Sequence, residues 1–360
     1  MKDLTLKKKI AQMLLVGIPN KESINGVLKL ISDYGIGGVI LYKNNYSNLE
    51  ELKELILKLK SANKGNALPL TIAIDQEGGR VNRLPREFTN SHSLYRMAKN
   101  SNDNIRLFAK TSSSLLADLG INMNFAPVLD LKMHGDNHAI GNRAISEDVN
   151  KVMEVSEILV NEFKNNNVVP VIKHFPGQGS VNADSHFILP IIKDYNKILE
   201  RDSIPFKNMI EKGIDSIMVG HILIMKKTGL RPATLSKKFI NEELRKRYNY
   251  KNIVMTDELG MRSVSYLYGK TGSIIKAFMA TNDIICCKYS NNFIEKVIDK
   301  VAKKIDNKAI IIKDIEQSYD RIRNMKKKYK FTDKTNFDKI DVDNYNKIIN
   351  ELKERAANKS

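Results

Sequence analysis

The chain has only two cysteines, Cys286 and Cys287, and they are neighbours. Two adjacent thiols cannot build a disulfide framework or a four-cysteine zinc site, so the fold must hold by packing. No apolar run approaches the roughly 18 residues that a membrane-crossing helix needs, which excludes a transmembrane protein. The six histidines are His92, His134, His138, His174, His186 and His221, and they form no HxH or HExxH pattern. The stretch His134-Gly135-Asp136-Asn137-His138 invites a metal reading, but without such a pattern no metal is expected. Gly/Ser-rich linkers, internal repeats and low-complexity tracts are also missing. Acids are in deficit: 41 Asp+Glu face 59 Lys+Arg, a net charge of +18.

That imbalance raises a nucleic-acid or anionic-surface partner. The basic residues are scattered, however. Their densest cluster, Arg321 to Lys330, lies on a helix-like segment without a helix-turn-helix, zinc-finger or RNP-type motif. No nucleic-acid partner is therefore expected, and the lysines read as a solvated surface. Attraction to an anionic polymer such as a cell wall stays open. Near the N-terminus, Lys7–Lys9 precede an apolar stretch resembling a short signal peptide. Gln12 interrupts it and no small-residue cleavage site follows. As written the chain begins like a cytoplasmic protein; a signal sequence removed beforehand would make it exported or membrane-tethered.

What is present is the composition of a large globular protein: 360 residues, 42% apolar and 28% charged. Eight short apolar, β-branched runs read as strands: Met13–Val16, Gly38–Tyr42, Leu70–Asp75, Ile121–Ala126, Val168–Phe175, Ser216–His221, Asn252–Asp257 and Asp283–Cys287. Continuous apolar character fits strands buried on both faces. Helical periodicity fills the gaps at Asn48–Lys60, His92–Leu119, Glu147–Lys164, Asn196–Lys212, Lys237–Tyr248 and Ser273–Ala280. Eight alternations predict a (β/α)8 TIM barrel. The competing doubly wound sheet wants a phosphate-binding Gly-rich turn after its first strand, and Gly17-Ile18-Pro19 is no such turn. Candidate helices at Asn292–Ile305, Asp314–Lys328 and Asn344–Ala356 follow the last strand. They cover the barrel's outside or form a tail. The expectation is a single domain over 1–360, with the barrel at about 5–290 and a C-terminal helical extension at about 291–360. A monomer is expected.

In such barrels chemistry sits at the C-terminal strand ends. Strand three ends in Asp75, followed by Gln76-Glu77-Gly78-Gly79-Arg80. Strand four leads to Asp130, strand five carries Lys173 and His174, strand six ends in His221 and strand seven in Asp257-Glu258. Charges at five strand ends are costly to bury unless paired or functional, and they predict one shared pocket. Asp257 alone fits an N-cap for the next helix or a covalent nucleophile. The glycine-bearing loop Gly177–Phe187 ends in Asp184-Ser185-His186. There an Asp can orient an imidazole for general acid/base work, or the segment is an Asp-Ser turn with a surface histidine.

Together these pieces resemble glycoside hydrolase family 3, most closely its single-domain β-N-acetylglucosaminidases of the NagZ type. The resemblance rests on IAQMLLVG (10–17), GIGGVILYKNN (35–45), AIDQEGGRVNRL (73–84), LGINMNFAPVLDL (119–131), GNRAISED (141–148), VIKHFPGQGSVNADSHFILP (171–190), DSIMVGHI (215–222), PATLS (232–236) and IVMTDELGM (253–261). It implies a retaining glycosidase with Asp257 as nucleophile, His186 as acid/base and Asp184 as its orienting partner. Most retaining enzymes use a second carboxylate instead. A histidine would not repel an anionic acceptor, so phosphorolysis is one expectation to test. Asp75, Arg83, Arg143, Lys173 and His174 match sugar-binding positions. No cofactor is implied, and the implied partner is a GlcNAc-containing oligosaccharide or muropeptide. Terminal β-linked GlcNAc would be removed from peptidoglycan fragments in wall recycling. Alternatives are a β-glucosidase or β-xylosidase of the same family, or a non-catalytic wall-sugar-binding barrel. Departures from the family pattern are Gln178 and Ser180 in the loop, Glu258 after the nucleophile, Ala144 after Arg143, and Thr281-Asn282-Asp283 near strand eight. The chain is too short for the second α/β domain of larger members.

Overall fold

The computed structural model describes residues 4–132, 140–179, 189–288, 291–307 and 310–357. Its main sheet has eight parallel strands. They are β1 (Leu14–Gly17), β2 (Gly38–Leu41), β3 (Thr71–Ile74), β4 (Met123–Asn124), β5 (Val169–Phe175), β6 (Ser216–Val219), β7 (Ile253–Thr256) and β8 (Ile285–Cys287). Each one falls within, or one residue beyond, a predicted strand. The strands neighbour one another in sequence order, and β8 pairs with β1. A parallel bridge between Met255 and Ile284 joins β7 to β8 and closes the ring. Sequential order with closure is the TIM barrel and excludes the doubly wound sheet, whose strand order reverses.

Every residue of the eight strands is buried. This follows from helices covering the outside, and it explains the unbroken apolar runs. Three of the long covering helices start where the sequence supplies a cap. Asn48 accepts from the Glu51 N–H before Leu49–Ala62, Ser101 from the Asn104 N–H before Asn102–Asp118, and Asp148 from the Asn150 N–H before Val149–Asn165. The expected helix His92–Leu119 is two helices, Leu94–Met97 and Asn102–Asp118. The Ser101 cap restarts the chain there, and capping overrides periodicity.

The C-terminal segment is not a tail. Helix Ile312–Lys328 runs beneath the N-terminal ends of the strands. Buried Lys326 donates from Nζ to Gly37 O at 2.9 Å, Pro69 O at 2.8 Å and Gln12 Oε1 at 3.3 Å, all just before β1, β2 or β3. Asp283, ahead of β8, takes Arg245, Arg321, Ser318 and the Val254 N–H at 2.7–2.9 Å. Asp215, ahead of β6, takes Lys328 and the Tyr329 hydroxyl at 2.6–2.8 Å. The cluster Arg321–Lys330 was expected to be a solvated face. Three of its members instead neutralise or cap groups on the barrel floor, a role that local charge density cannot reveal. Helix Val342–Ala357 packs on Asn102–Asp118, and Tyr345 meets Phe88 edge-on at 5.3 Å. No helix among the described residues is long and apolar enough to cross a membrane.

Candidate active site

A cavity of about 450 Å³ opens at the C-terminal ends of the strands. Alternate strands divide its construction. Ile40 of β2, Phe125 just past β4, Met218 of β6 and Cys286 of β8 form an apolar floor. Asp75 after β3, Lys173 and His174 of β5, and Asp257 after β7 supply the charged wall. This is the layered filling of a barrel, with side chains of one layer drawn from every second strand. Burial pushes the Cys286 thiol far above its ordinary value, so it behaves as a small apolar residue.

The charged wall is a connected ion-pair cluster. Lys173 Nζ donates to Asp75 Oδ1 at 2.7 Å and lies 2.6 Å from Glu77 Oε1. Arg143 grips Glu77 with Nε and Nη2, both at 2.8 Å, in the bidentate geometry that suits a guanidinium. Burial alone would raise the Glu77 pKa, but Arg143 and Lys173 overcome it and hold the carboxyl well below the usual range. Asp75 and Glu77 in turn keep Lys173 protonated against its burial, with Arg143 opposing them. Arg83 lines the same cavity. Its segment is shaped by Gln76, whose Oε1 accepts from the Arg83 N–H at 2.7 Å.

His174 is held from behind by Asp130. Its Nδ1 lies 2.6 Å from Asp130 Oδ2, and the other carboxylate oxygen accepts the Gln178 N–H at 2.7 Å. A carboxylate saturated with donors orients the ring with its proton on Nδ1. Gln178 therefore occupies a buried position in the loop through its backbone. Gly177 and Gly179 beside it are required. Gly177 has φ +118°, and a Cβ at Gly179 would stand 2.5 Å from Leu131 O.

Asp257 sits half-buried at the end of β7, its Oδ1 accepting the Glu258 N–H at 2.7 Å. Burial disfavours its charge. Electrostatic interaction with His174 and His221, that N–H and Lys173 reverse the balance, and its pKa falls below the ordinary value. Glu258 behaves oppositely. Burial and the adjacent Asp257 raise its pKa, although its Oε1 accepts from Gly260 N at 2.7 Å and Lys288 N at 3.0 Å. Its side chain thus ties the loop after β7 to the end of β8, a reach that the longer Glu serves. His221 does not reach the cavity as expected; its Nε2 lies 3.0 Å from Glu258 O, behind the wall.

The structure gathers Asp75, Arg83, Arg143, Lys173, His174 and Asp257 around one cavity. Asp184 and His186 lie outside the described residues, as do His134 and His138. Sequence reasoning passed over Glu77 as a site residue and Asp130 as the support of His174. The signal for both was an acid a few residues past a predicted strand end, Glu77 after Asp75 and Asp130 after Ala126. Among the described residues no cluster of His, Cys, Asp and Glu could hold a metal ion.

A half-buried, ionised carboxylate facing a cavity walled by hydrogen-bonding charges at the mouth of a TIM barrel defines a polar-substrate enzyme site of the glycosidase kind. Residues 5–325 match the glycosyl hydrolase family 3 N terminal domain, and the chain belongs to that family. It is 33% identical over 276 residues to a beta-hexosaminidase of Psychromonas ingrahamii, covering 75% of this chain and 80% of that one. It is 30% identical over 295 residues to a beta-hexosaminidase of Haemophilus influenzae, covering 80% and 82%. A solved family 3 beta-N-acetylglucosaminidase from Paenibacillus sp. str. FPU-7 superposes with a TM-score of 0.90 at 28% identity, over 98% of this chain and 69% of that one.

Proposed function

We propose that this chain is a retaining exo-β-N-acetylglucosaminidase that removes terminal β-linked GlcNAc from wall-derived oligosaccharides or muropeptides. The similar beta-hexosaminidases and the Paenibacillus beta-N-acetylglucosaminidase support the substrate class. The observation that carries the chemistry is Asp257, half-buried at the mouth of β7 with its pKa held below the ordinary value. One carboxylate oxygen attacks the anomeric carbon, the glycosidic bond breaks, and the aglycone oxygen takes a proton from His186. Water then attacks the same carbon, returns a proton to His186 and releases Asp257 with configuration retained. Asp184 orients His186. Asp75, Glu77, Arg83, Arg143, Lys173 and His174 present the charge-assisted donors and acceptors that a hydroxyl-rich sugar needs.

The test is release of 4-nitrophenol from its β-GlcNAc glycoside, with β-glucoside and β-xyloside controls. Selective turnover of the GlcNAc glycoside is expected. The Asp257→Ala variant should lose several orders of magnitude in kcat with an unchanged melting temperature. Near-normal turnover in that variant rejects the nucleophile, and preference for glucoside or xyloside rejects the substrate.

A further inference from the structure

Large apolar side chains stand out on one side of the catalytic rim. Tyr266 is 90% exposed, Leu230 80%, Leu267 58% and Met225 55%. They belong to two segments leaving adjacent strands. The short strand Leu223–Ile224, paired with Ile191–Ile192, and helix Met225–Thr228 follow β6. Helix Arg262–Tyr268 follows β7, starting directly after Met261 of the cavity wall. The Tyr268 hydroxyl donates to Leu230 O at 2.9 Å and joins the two. A groove of about 250 Å³ continues the patch, lined by Arg231, Lys276, Phe278, Met279, Ile311 and Asp314.

The charge of this surface is one-sided. Residues 222–241 and 259–282 contain Lys226, Lys227, Arg231, Lys237, Lys238, Arg262, Lys270 and Lys276, and no acid at all. Two of these cations are matched from elsewhere, Lys227 by Glu243 at 3.0 Å and Lys237 by Asp314 at 2.8 Å. The contrast with the floor is direct, since the sequence's densest basic cluster is spent on Asp215 and Asp283.

We propose that this face docks on an anionic phospholipid surface, with Tyr266, Leu230, Leu267 and Met225 entering the headgroup boundary and the cations meeting lipid phosphates. Exposed aromatic and aliphatic groups set among lysines and arginines are what an interfacial contact requires. A second copy of the chain fits poorly, because a self-complementary contact would set cations against cations. A soluble polyanion would engage the cations and leave the apolar groups in water.

Co-sedimentation with phosphatidylcholine vesicles, with and without phosphatidylglycerol, tests this. The protein should pellet with the phosphatidylglycerol vesicles only, and less so at high salt. Arg231→Gln and Lys276→Gln should each weaken binding about fivefold, the effect of one juxtamembrane cation. The Leu230→Ser/Tyr266→Ser variant should weaken it with charge unchanged. Turnover of a small nitrophenyl glycoside and the melting temperature serve as fold controls and should hold in every variant. Protein that stays in the supernatant overturns the proposal. So does an apolar variant that binds like the parent while polyglutamate competes, which would identify a soluble polyanion. Concentration-dependent dimers abolished by the same substitutions would also overturn it and assign the face to a second copy.

Discussion

The two ends of the barrel bury charge for different ends. At the floor every buried carboxylate is surrounded: Asp283 accepts four donors at 2.7–2.9 Å, from two arginines, a serine and a backbone N–H. At the mouth the charges also pair, yet the pairs face a cavity of about 450 Å³. Both arrangements offset desolvation, which for an unpaired buried ion costs several kcal/mol. The difference is what else can bind. A floor with all lone pairs taken can only be stable, whereas a mouth of ion pairs open to a cavity can trade partners with a hydroxyl-rich ligand.

Substitutions at the two ends should therefore separate stability from catalysis. Among the ion-pair residues the largest effect is expected from Glu77→Gln, which leaves Arg143 and Lys173 facing a neutral amide. We expect kcat/KM for the nitrophenyl β-GlcNAc glycoside to fall on the order of a hundredfold, with some loss of stability. Unchanged kinetics would erase the distinction drawn for the mouth. Asp283→Ala at the floor should cost about 3–5 kcal/mol in urea unfolding while leaving KM as it was. A shifted KM would mean that the two ends are coupled.

Smaller effects sharpen the floor. Burial lowers Lys326 from an ordinary 10.5 to about 7, with Asp333 opposing the shift. Between those values the unfolded chain holds a proton that the folded chain gives up, so this group makes stability rise with pH from about 7 to 10.5 and adds no pH dependence outside that window. The contribution has a ceiling of about 1.4 kcal/mol per pH unit. Lys326→Met should flatten that rise, measured as urea midpoints at neutral and alkaline pH; an unaltered slope would assign it elsewhere. The smallest effect concerns Thr281, a β-branched residue at φ +64° two positions before Asp283. Thr281→Gly should stabilise by roughly 0.5–1 kcal/mol, the relief of the left-handed strain less glycine's greater chain entropy. A lower melting temperature would contradict it.

Much of this layout was legible in the sequence. The strands were readable because burial on both faces leaves a continuous apolar run, and the mouth because Asp75, Lys173, His174 and Asp257 interrupt such runs where they end. What was not legible depends on distance along the chain. Glu77 meets Arg143 across 66 residues and Asp130 meets His174 across 44. No local pattern encodes either contact. The floor was misread for the same reason. Lys326 lies 289 residues from the Gly37 carbonyl it caps, and locally it looks like any lysine of an exposed helix. Even the departure at Glu258 makes physical sense only once β8 is seen within its reach.

The floor also sets an order on biosynthesis. The donors on or just after helix Ile312–Lys328 come late relative to their acceptors: Asp215 precedes Lys328 by 113 residues, the Gly37 and Pro69 carbonyls precede Lys326 by 289 and 257, and Asp283 precedes Arg321 by 38. Until that helix leaves the ribosome, a closed barrel would hold these acceptors without their donors. The nascent chain thus cannot commit to its final core strand by strand; it must wait for this helix, and a premature stop before residue 321 would release a protein whose base is open to water.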